Sequence, residues 1–153
     1  MNGVMETDGK VASATLEIAA PADRIFELIA DPAEQPSWDG NDNLAEAAEG
    51  QRVHGVGDVF LTTICQGGVR ENHVEEFEED RLIAWRPSEP GSPPPGHLWR
   101  WELSPVDDAH TRVTHTYDWS RLTDEKRMVR ARATGSDALM SSLTRLRDLA
   151  ERR

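Results

Sequence analysis

The chain has little of several features that mark common classes of protein. Its 153 residues include one cysteine, Cys65, which excludes an internal disulfide bond and suits a reducing compartment. No apolar run reaches the roughly 20 residues that a membrane-spanning helix needs, so we expect no stable membrane insertion. Residues 1–10 are polar and lack the apolar segment of a secretory signal. We therefore expect a flexible tail over 1–10 and a single domain over 11–153, in a cytoplasmic protein.

Positive charge is also scarce, because 17 basic residues face 28 acidic ones and the net charge is -11. Proteins that bind nucleic acid usually present a basic face, so we expect no nucleic-acid partner. The sequence has no nucleophile elbow, phosphate-binding loop or dinucleotide fingerprint. Its five histidines show no metal-ligand spacing. We therefore expect neither a metal nor a cofactor.

The order of apolar segments predicts an α+β fold. An apolar strand over Val11–Ile18 leads into an amphipathic helix that begins at Pro21 and ends at Asp31-Pro32, followed by a short second helix at Pro32–Trp38. Six further strands are predicted at 44–48, 58–65, 69–77, 82–86, 97–103 and 111–119. A last, leucine-striped helix begins near Thr123, and Gly135-Ser136 marks either a kink or its true start.

These elements predict a seven-stranded, curved antiparallel sheet around the C-terminal helix, with two short helices after the first strand. One helix has too little apolar surface to fill a strongly bent sheet, so we expect an internal cavity. The segment 87–96 holds five prolines and two glycines, which excludes regular structure there. A loop of that length in a hairpin is often a functional lid.

Hairpin register decides which side chains of the fourth strand face inward. A two-residue turn at Gly67-Gly68 would pair Cys65 with Arg70 and would direct Arg70 and Asn72 into the interior. A β-bulge in this strand would direct Glu71 and His73 inward instead. The alternation of Phe77 relative to Val74 suggests such a bulge, so both possibilities remain open.

The sixth and seventh strands carry an aromatic wall. Alternation places Trp99 and Trp101 on one face, opposite Tyr117 and His115 respectively. This face is expected to meet the C-terminal helix, where apolar cover is available. The residues that we expect to line the cavity are Trp38, Leu61, Arg70, Asn72, Val74, Trp85, Trp99, Trp101, His115, Tyr117, Leu139 and Leu143.

Three of these residues are candidates for chemistry. His115 and Tyr117 could act as an acid–base pair, but we expect an interior histidine held by hydrogen bonds rather than a catalyst. Arg70 could bind a carboxylate or a carbonyl, or could instead pair with a local acid such as Glu71. We expect Cys65 to be a small buried apolar residue rather than a nucleophile.

Several segments resemble the polyketide cyclase/dehydrase branch of the START-like (Bet v 1-type, SRPBCC) superfamily. The resemblance covers residues 11–151. It is carried by Ile18–Phe26, Ala30–Pro32, Trp38, Gly55–Asp58, Leu82–Trp85, Thr111–Tyr117 and the C-terminal helix. It implies the helix-grip fold and an elongated cavity for lipids, polyketides or aromatic compounds. Some members of this superfamily are cyclases that orient a polyketone with an arginine, tyrosine or serine.

Three functions are compatible with these patterns. The first is a carrier or sensor that binds a small hydrophobic molecule, and this is the function we expect. The second is a cyclase, aromatase or dehydratase acting on a polyketide-like substrate. The third is a protein-interaction module like the co-chaperone relatives of the superfamily, which predicts a filled interior. The sequence carries no signal for the oligomeric state.

Overall fold

A seven-stranded antiparallel sheet holds the C-terminal helix in the computed structural model, which describes residues 9–152. The strand order across the sheet is β1-β7-β6-β5-β4-β3-β2. This arrangement confirms the predicted α+β, helix-grip fold. Residues 1–8 of the expected tail lie outside the described residues. The strands are β1 (Val11–Ile18), β2 (Leu44–Glu46), β3 (Val59–Ile64), β4 (Val69–Glu78), β5 (Leu82–Ser88), β6 (Leu98–Asp107) and β7 (His110–Asp118).

Two short helices follow β1. Helix α1 (Ala22–Ala30) follows Pro21, and Asp31 ends it because the residue before a proline avoids helical geometry. A 3-10 turn (Pro32–Glu34) and helix α2 (Gln35–Trp38) come next. The prediction for this segment is confirmed.

The C-terminal helix is two helices, α3 (Glu125–Ala133) and α4 (Ser136–Glu151). The side chain of Asp124 caps α3 by accepting a hydrogen bond from the Lys126 N–H, so the helix starts one residue later than a cap at Thr123 would place it. Gly135 lies in an extended conformation at the N-cap of α4. It is therefore the start of the long helix and not a kink within one.

The hydrophobic core joins α1, α4 and the concave face of the sheet. Ile25, Phe26 and Ile29 of α1 are fully buried, as are the stripe residues Leu143 and Leu146 of α4. Helix α4 packs mainly against β1 and also contacts β7, α1 and α2. This end of the sheet is filled by apolar side chains.

The β3–β4 hairpin differs from the predicted register. Ile64 N–H donates to the Gly68 carbonyl and Gly67, with φ 94°, donates to the Ile64 carbonyl, so three residues form the loop instead of two. Thr62 pairs with Arg70 and Phe60 pairs with Asn72. The inward and outward faces of β3 are exchanged as a result. Cys65 lies in the turn and is exposed, so the expectation that it is buried is wrong.

The suspected β-bulge is present in β4, at Glu75. Val74 pairs with Trp85, and beyond the bulge Phe77 pairs with Ile83. Because the bulge lies between Val74 and the turn that joins β4 to β5, it leaves the orientation of Arg70 and Asn72 unchanged. Glu71 and His73 face outward.

Gly40 lies where the chain after α2 crosses α4 and provides a stability test. A Cβ atom at this position would lie 2.4 Å from the main-chain carbon of Ser141. We expect Gly40→Ala to lower the free energy of unfolding by about 1–3 kcal/mol, because neither backbone can move without disturbing the core. Urea denaturation would measure this loss.

Gly55→Ala is the matched control, since a Cβ there meets nothing within 4 Å and neither glycine has a positive φ. Equal stabilities of the two variants would contradict the close packing of this loop on α4.

A candidate ligand-binding cavity

A cavity of about 450 Å³ lies between the sheet and the helices, at the end that α1 does not fill. Its walls come from the inner faces of β3 to β7, from α2 and the residues after it, and from the α3–α4 junction. The volume lies within the range of about 300–1,000 Å³ that small-molecule sites occupy. Seven aromatic side chains of the described residues line it: Trp38, Trp85, His97, Trp99, Trp101, His115 and Tyr117.

The aromatic wall has the predicted register, because Trp99 pairs with Tyr117 and Trp101 pairs with His115. The rings of Trp99 and Tyr117 lie 4.2 Å apart at an angle of 31°. Those of Trp101 and His115 are stacked, with centroids 3.6 Å apart and planes 12° apart. Trp38 contacts Trp101 edge to face at 5.1 Å. Direct cross-strand pairing makes this wall a continuous, ordered surface.

His115 is a neutral interior histidine without a hydrogen-bond partner. Both of its ring nitrogens are buried and neither makes a hydrogen bond within residues 9–152. Burial lowers the pKa of His115 to about 3 because the charged imidazole would lose its hydration. The Leu139 main chain opposes this effect weakly, without reaching hydrogen-bond geometry. The expected hydrogen-bonded histidine is therefore absent.

A second histidine, His97, borders the cavity and was not among the predicted site residues. Burial, together with the positive charges of Arg127, Arg86 and Arg70, lowers its pKa to about 4. The His97 ring lies 6.1 Å from that of Tyr117. Burial raises the pKa of Tyr117 to about 12, and Arg130 acts in the opposite direction. At neutral pH both side chains are therefore uncharged.

Two polar residues of β4 face the cavity. The amide nitrogen of Asn72 donates to the Phe60 carbonyl and to the Thr62 hydroxyl, both at 3.1 Å, so it holds β3 and β4 together. The Arg70 guanidinium donates to the neighbouring Val69 carbonyl at 3.1 Å and forms no ion pair with a carboxylate of residues 9–152. Glu71 instead accepts a hydrogen bond from the Gly91 N–H. The pairing of Arg70 with Glu71 does not occur.

Four predicted lining residues lie elsewhere. Leu61 is on the outer face of β3 and 46% exposed, because the three-residue turn exchanges the faces of this strand. Val74, Leu139 and Leu143 face inward but belong to the packed core and do not border the cavity. The expectation that Leu61 lines the cavity is wrong.

The proline-rich loop after β5 is fixed to α3 and to β5. Arg127 of α3 forms an ion pair with Glu89 of the loop at 3.0 Å. Arg86 donates to the Gly96 carbonyl and fixes the other end of the loop. Arg130 borders the cavity from α3. Sequence periodicity gave no signal for this residue, because α3 is polar on most of its surface.

The acidic residues that border the cavity are already occupied. One Asp39 carboxylate oxygen accepts hydrogen bonds from the Asn43 and Leu44 N–H groups at 2.7 and 2.8 Å. Asp42 forms an ion pair with Arg145 at 3.0 Å. These carboxylates therefore have protein partners and do not require a cation from outside.

Within residues 9–152, no three His, Cys, Asp or Glu side chains form a group that could hold a metal ion. No helix in the same range combines the length and the apolar character required to cross a membrane.

Comparison with known proteins gives one family match. Residues 10–151 match the family model described as polyketide cyclase / dehydrase and lipid transport. Over 110 residues the chain is 31% identical to an uncharacterised protein of Mycobacterium tuberculosis. That alignment covers 70% of this chain and 46% of the relative, so the chain spans about half the length of the curated relatives it matches.

Solved structures share the fold at low sequence identity. A Streptomyces aromatase/cyclase is 19% identical with a TM-score of 0.66, and the match covers 94% of each chain. A START superfamily protein from Mycobacterium smegmatis is 18% identical with a TM-score of 0.66, covering 93% of this chain and 97% of that one.

The buried histidine gives a pH-dependent prediction. Below pH 6.5 the unfolded chain binds a proton at His115, whereas the folded protein does not until about pH 3. The folding stability that depends on an uncharged His115 is therefore lost as the pH falls from 6.5 towards about 3. Between pH 7 and pH 5 we expect the parent protein to lose about 2 kcal/mol of unfolding free energy that His115→Phe keeps. Urea titrations at several pH values would measure this.

His110→Phe is the control with the opposite sign. A hydrogen bond with Asp107 raises the pKa of His110, so its removal should make the variant relatively less stable as the pH falls. A stability difference between His115→Phe and the parent that does not change with pH would contradict the burial of a neutral imidazole.

Proposed function

The chain belongs to the polyketide cyclase/dehydrase and lipid transport family, and we propose that it binds a small hydrophobic or amphipathic molecule in its cavity, as a carrier or sensor. A lipid, a polyketide or an aromatic compound fits this description. The observation that carries the proposal is the cavity of about 450 Å³ with seven aromatic side chains on its walls. Apolar walls with a few placed polar groups are the usual form of such sites.

The wall supports binding because it is rigid before any ligand arrives. Trp101 is fully buried and fixed between Trp38 and His115, while Trp99 is only partly buried and rests on Tyr117. A ligand that covers Trp99 removes further apolar surface from water, worth about 25 cal/mol per Å². Little side-chain entropy is lost, since the rings are already ordered by cross-strand stacking.

An enzymatic function is the second candidate, because an aromatase/cyclase of Streptomyces shares the fold. A general acid or base works best when its pKa lies near the working pH. The pKa of His115 is about 3 and that of Tyr117 about 12, and both His115 nitrogens are buried. These two residues therefore favour binding over acid–base catalysis.

A protein-interaction module is the third candidate and predicts a filled interior. The open cavity argues against it. We therefore rank binding of a small molecule first, catalysis second and protein interaction third.

The proposal is tested with protein purified from its expression host under mild conditions. Native mass spectrometry should detect a co-purifying molecule, and after its removal the neutral fluorophore N-phenyl-1-naphthylamine should bind with a gain in emission. Failure of this fluorophore and of small apolar competitors to enter the protein would overturn the proposal.

Trp99→Ala and Leu61→Ala form a matched pair for locating the site. Trp99 borders the cavity, whereas Leu61 lies on the outer face of the same sheet. We expect Trp99→Ala to weaken fluorophore binding about tenfold through lost apolar contact. Leu61→Ala should leave the affinity unchanged, with circular dichroism confirming that both variants fold. Equal effects of the two changes would place the binding site outside the cavity.

A further inference from the structure

We propose that the ligand carries a neutral hydrogen-bond donor, a hydroxyl or an N–H group, which the side-chain carbonyl oxygen of Asn72 accepts inside the cavity. This inference rests on the proposed binding function and adds the chemical class of the ligand. It also gives Asn72 a role in specificity besides its role in the β3–β4 hairpin. Two properties of this side chain support it, namely its burial and the direction of its amide group.

The amide of Asn72 has a fixed orientation. Its nitrogen donates to the Phe60 carbonyl and to the Thr62 hydroxyl, both at 3.1 Å, and more weakly to the Arg70 carbonyl at 3.4 Å. The opposite flip would bring the amide oxygen against the carbonyl oxygens of Phe60 and Arg70, so that acceptor would face acceptor. Both hydrogens of the nitrogen are therefore used within the protein, and Oδ1 points away from β3.

The side-chain oxygen of Asn72 is an acceptor without a protein partner. Only 4% of the residue is exposed, and no N–H or O–H group of residues 9–152 donates to Oδ1. This oxygen is not enclosed by protein atoms, in contrast to the ring nitrogens of His115, and the residue borders the cavity. Oδ1 is therefore available to a molecule in the cavity.

Gln35 repeats this arrangement from α2. It is 2% exposed, and its Nε2 donates to the Ile29 carbonyl at 3.1 Å, which fixes the flip of this amide as well. Within residues 9–152 its Oε1 accepts no hydrogen bond, and this oxygen is not enclosed by protein atoms. Gln35 also borders the cavity. Both of these buried amides therefore present an acceptor, and not a donor, to the cavity.

The charged donors that border the cavity are in contact with water. Arg130 is exposed, and the half-buried Arg70 lies beside the β3–β4 turn and donates to the Val69 carbonyl. Water satisfies such groups whether or not a ligand is bound, so they discriminate weakly between ligands. A ligand that covers Asn72 without donating to it leaves a buried acceptor unpaired, which costs about tenfold or more in affinity. The buried amide therefore has the larger effect on specificity.

The neighbours of Asn72 on the inner face of the sheet set the orientation of the ligand. Asn72 pairs with Pro87 of β5, and Trp85, two residues before Pro87, pairs with Trp99 of β6. Neighbouring strands lie about 4.8 Å apart, so at least about 10 Å separates Asn72 from Trp99. A flat apolar body that lies on Trp85 and Trp99 therefore brings a hydroxyl at its edge towards Asn72.

The test compares naphthalenes that differ in one substituent. Neutral 2-naphthol, 2-methoxynaphthalene and 2-acetylnaphthalene compete at pH 7 against N-phenyl-1-naphthylamine for the protein. The ether and the ketone keep an oxygen acceptor but have no donor. We expect the naphthol to bind about tenfold or more tightly than either, although the ether is the more apolar molecule. Equal affinities, or tighter binding of the ether or the ketone, would overturn the proposal.

Asn72→Leu identifies the acceptor. The change keeps the size of the side chain and removes the amide, so the preference for naphthol over the ether should fall about tenfold. Affinity for the ether should stay within about threefold of the parent. Thr63→Val is the control, because Thr63 lies on the outer face of the same hairpin, as Leu61 does, and should leave the preference unchanged. Dissociation constants are corrected for the affinity of the fluorophore in each variant, and circular dichroism checks folding.

Asn72→Thr is the second variant, because loss of the hydrogen bonds to β3 can unfold Asn72→Leu. A threonine hydroxyl still donates to the Phe60 carbonyl but presents no amide oxygen to the cavity. The preference should fall in this variant too. An unchanged preference in each folded Asn72 variant, or an equal loss in Thr63→Val, would overturn the assignment of Asn72.

The donor and the binding function fail in different ways. If the fluorophore binds but naphthol, ether and ketone displace it equally, the hydrogen-bond donor is wrong while the binding function stands. If neither the fluorophore nor any of the three naphthalenes enters the protein, the binding function fails and the donor with it.

Discussion

The cavity depends on the unequal apolar cover that the helices give to the two ends of the curved sheet. Helix α1 contributes Ile25, Phe26 and Ile29, all fully buried, and fills one end. At the other end the chain breaks at Gly135, and α3 buries only Ala131. A close-packed interior cannot form where one side supplies almost no apolar volume. The space that remains is bordered by the aromatic rings of the sheet and by charged side chains that include Arg70 and Arg130.

The arginines that border the cavity are opposite in sign to the net charge of the protein. Twenty-eight acidic residues give an anionic surface, yet the acids nearest the cavity are engaged by main-chain donors or by arginine. Arg70 and Arg130 are not engaged in this way. Solvent and salt screen exposed charges, whereas a partly enclosed corner screens them less. A molecule in the cavity therefore responds mainly to the charges that border it, and less to the net charge of the whole chain.

Sequence patterns predicted the fold and the aromatic wall, because both rest on alternation and on strong local signals. The pairs Trp99–Tyr117 and Trp101–His115 follow from a single regular hairpin. The β3–β4 register was predicted wrongly because Gly67 occupies the left-handed position of a three-residue loop, and Leu61 consequently lies outside. Arg70 nevertheless faces inward as predicted, since the pairing of Val74 with Trp85 fixes the face of β4. Arg130 was missed because the position of α3 depends on tertiary contacts.

The same burial that makes the wall a good apolar surface limits its chemistry. His115 stacks on Trp101 at 3.6 Å, and this contact removes its nitrogens from water and holds the ring neutral. An imidazole that must exchange protons near neutral pH needs solvation or a charged partner, and either would interrupt the aromatic surface. Along this wall, apolar contact and proton transfer therefore compete for the same side chain. The stacked and buried ring of His115 serves apolar contact.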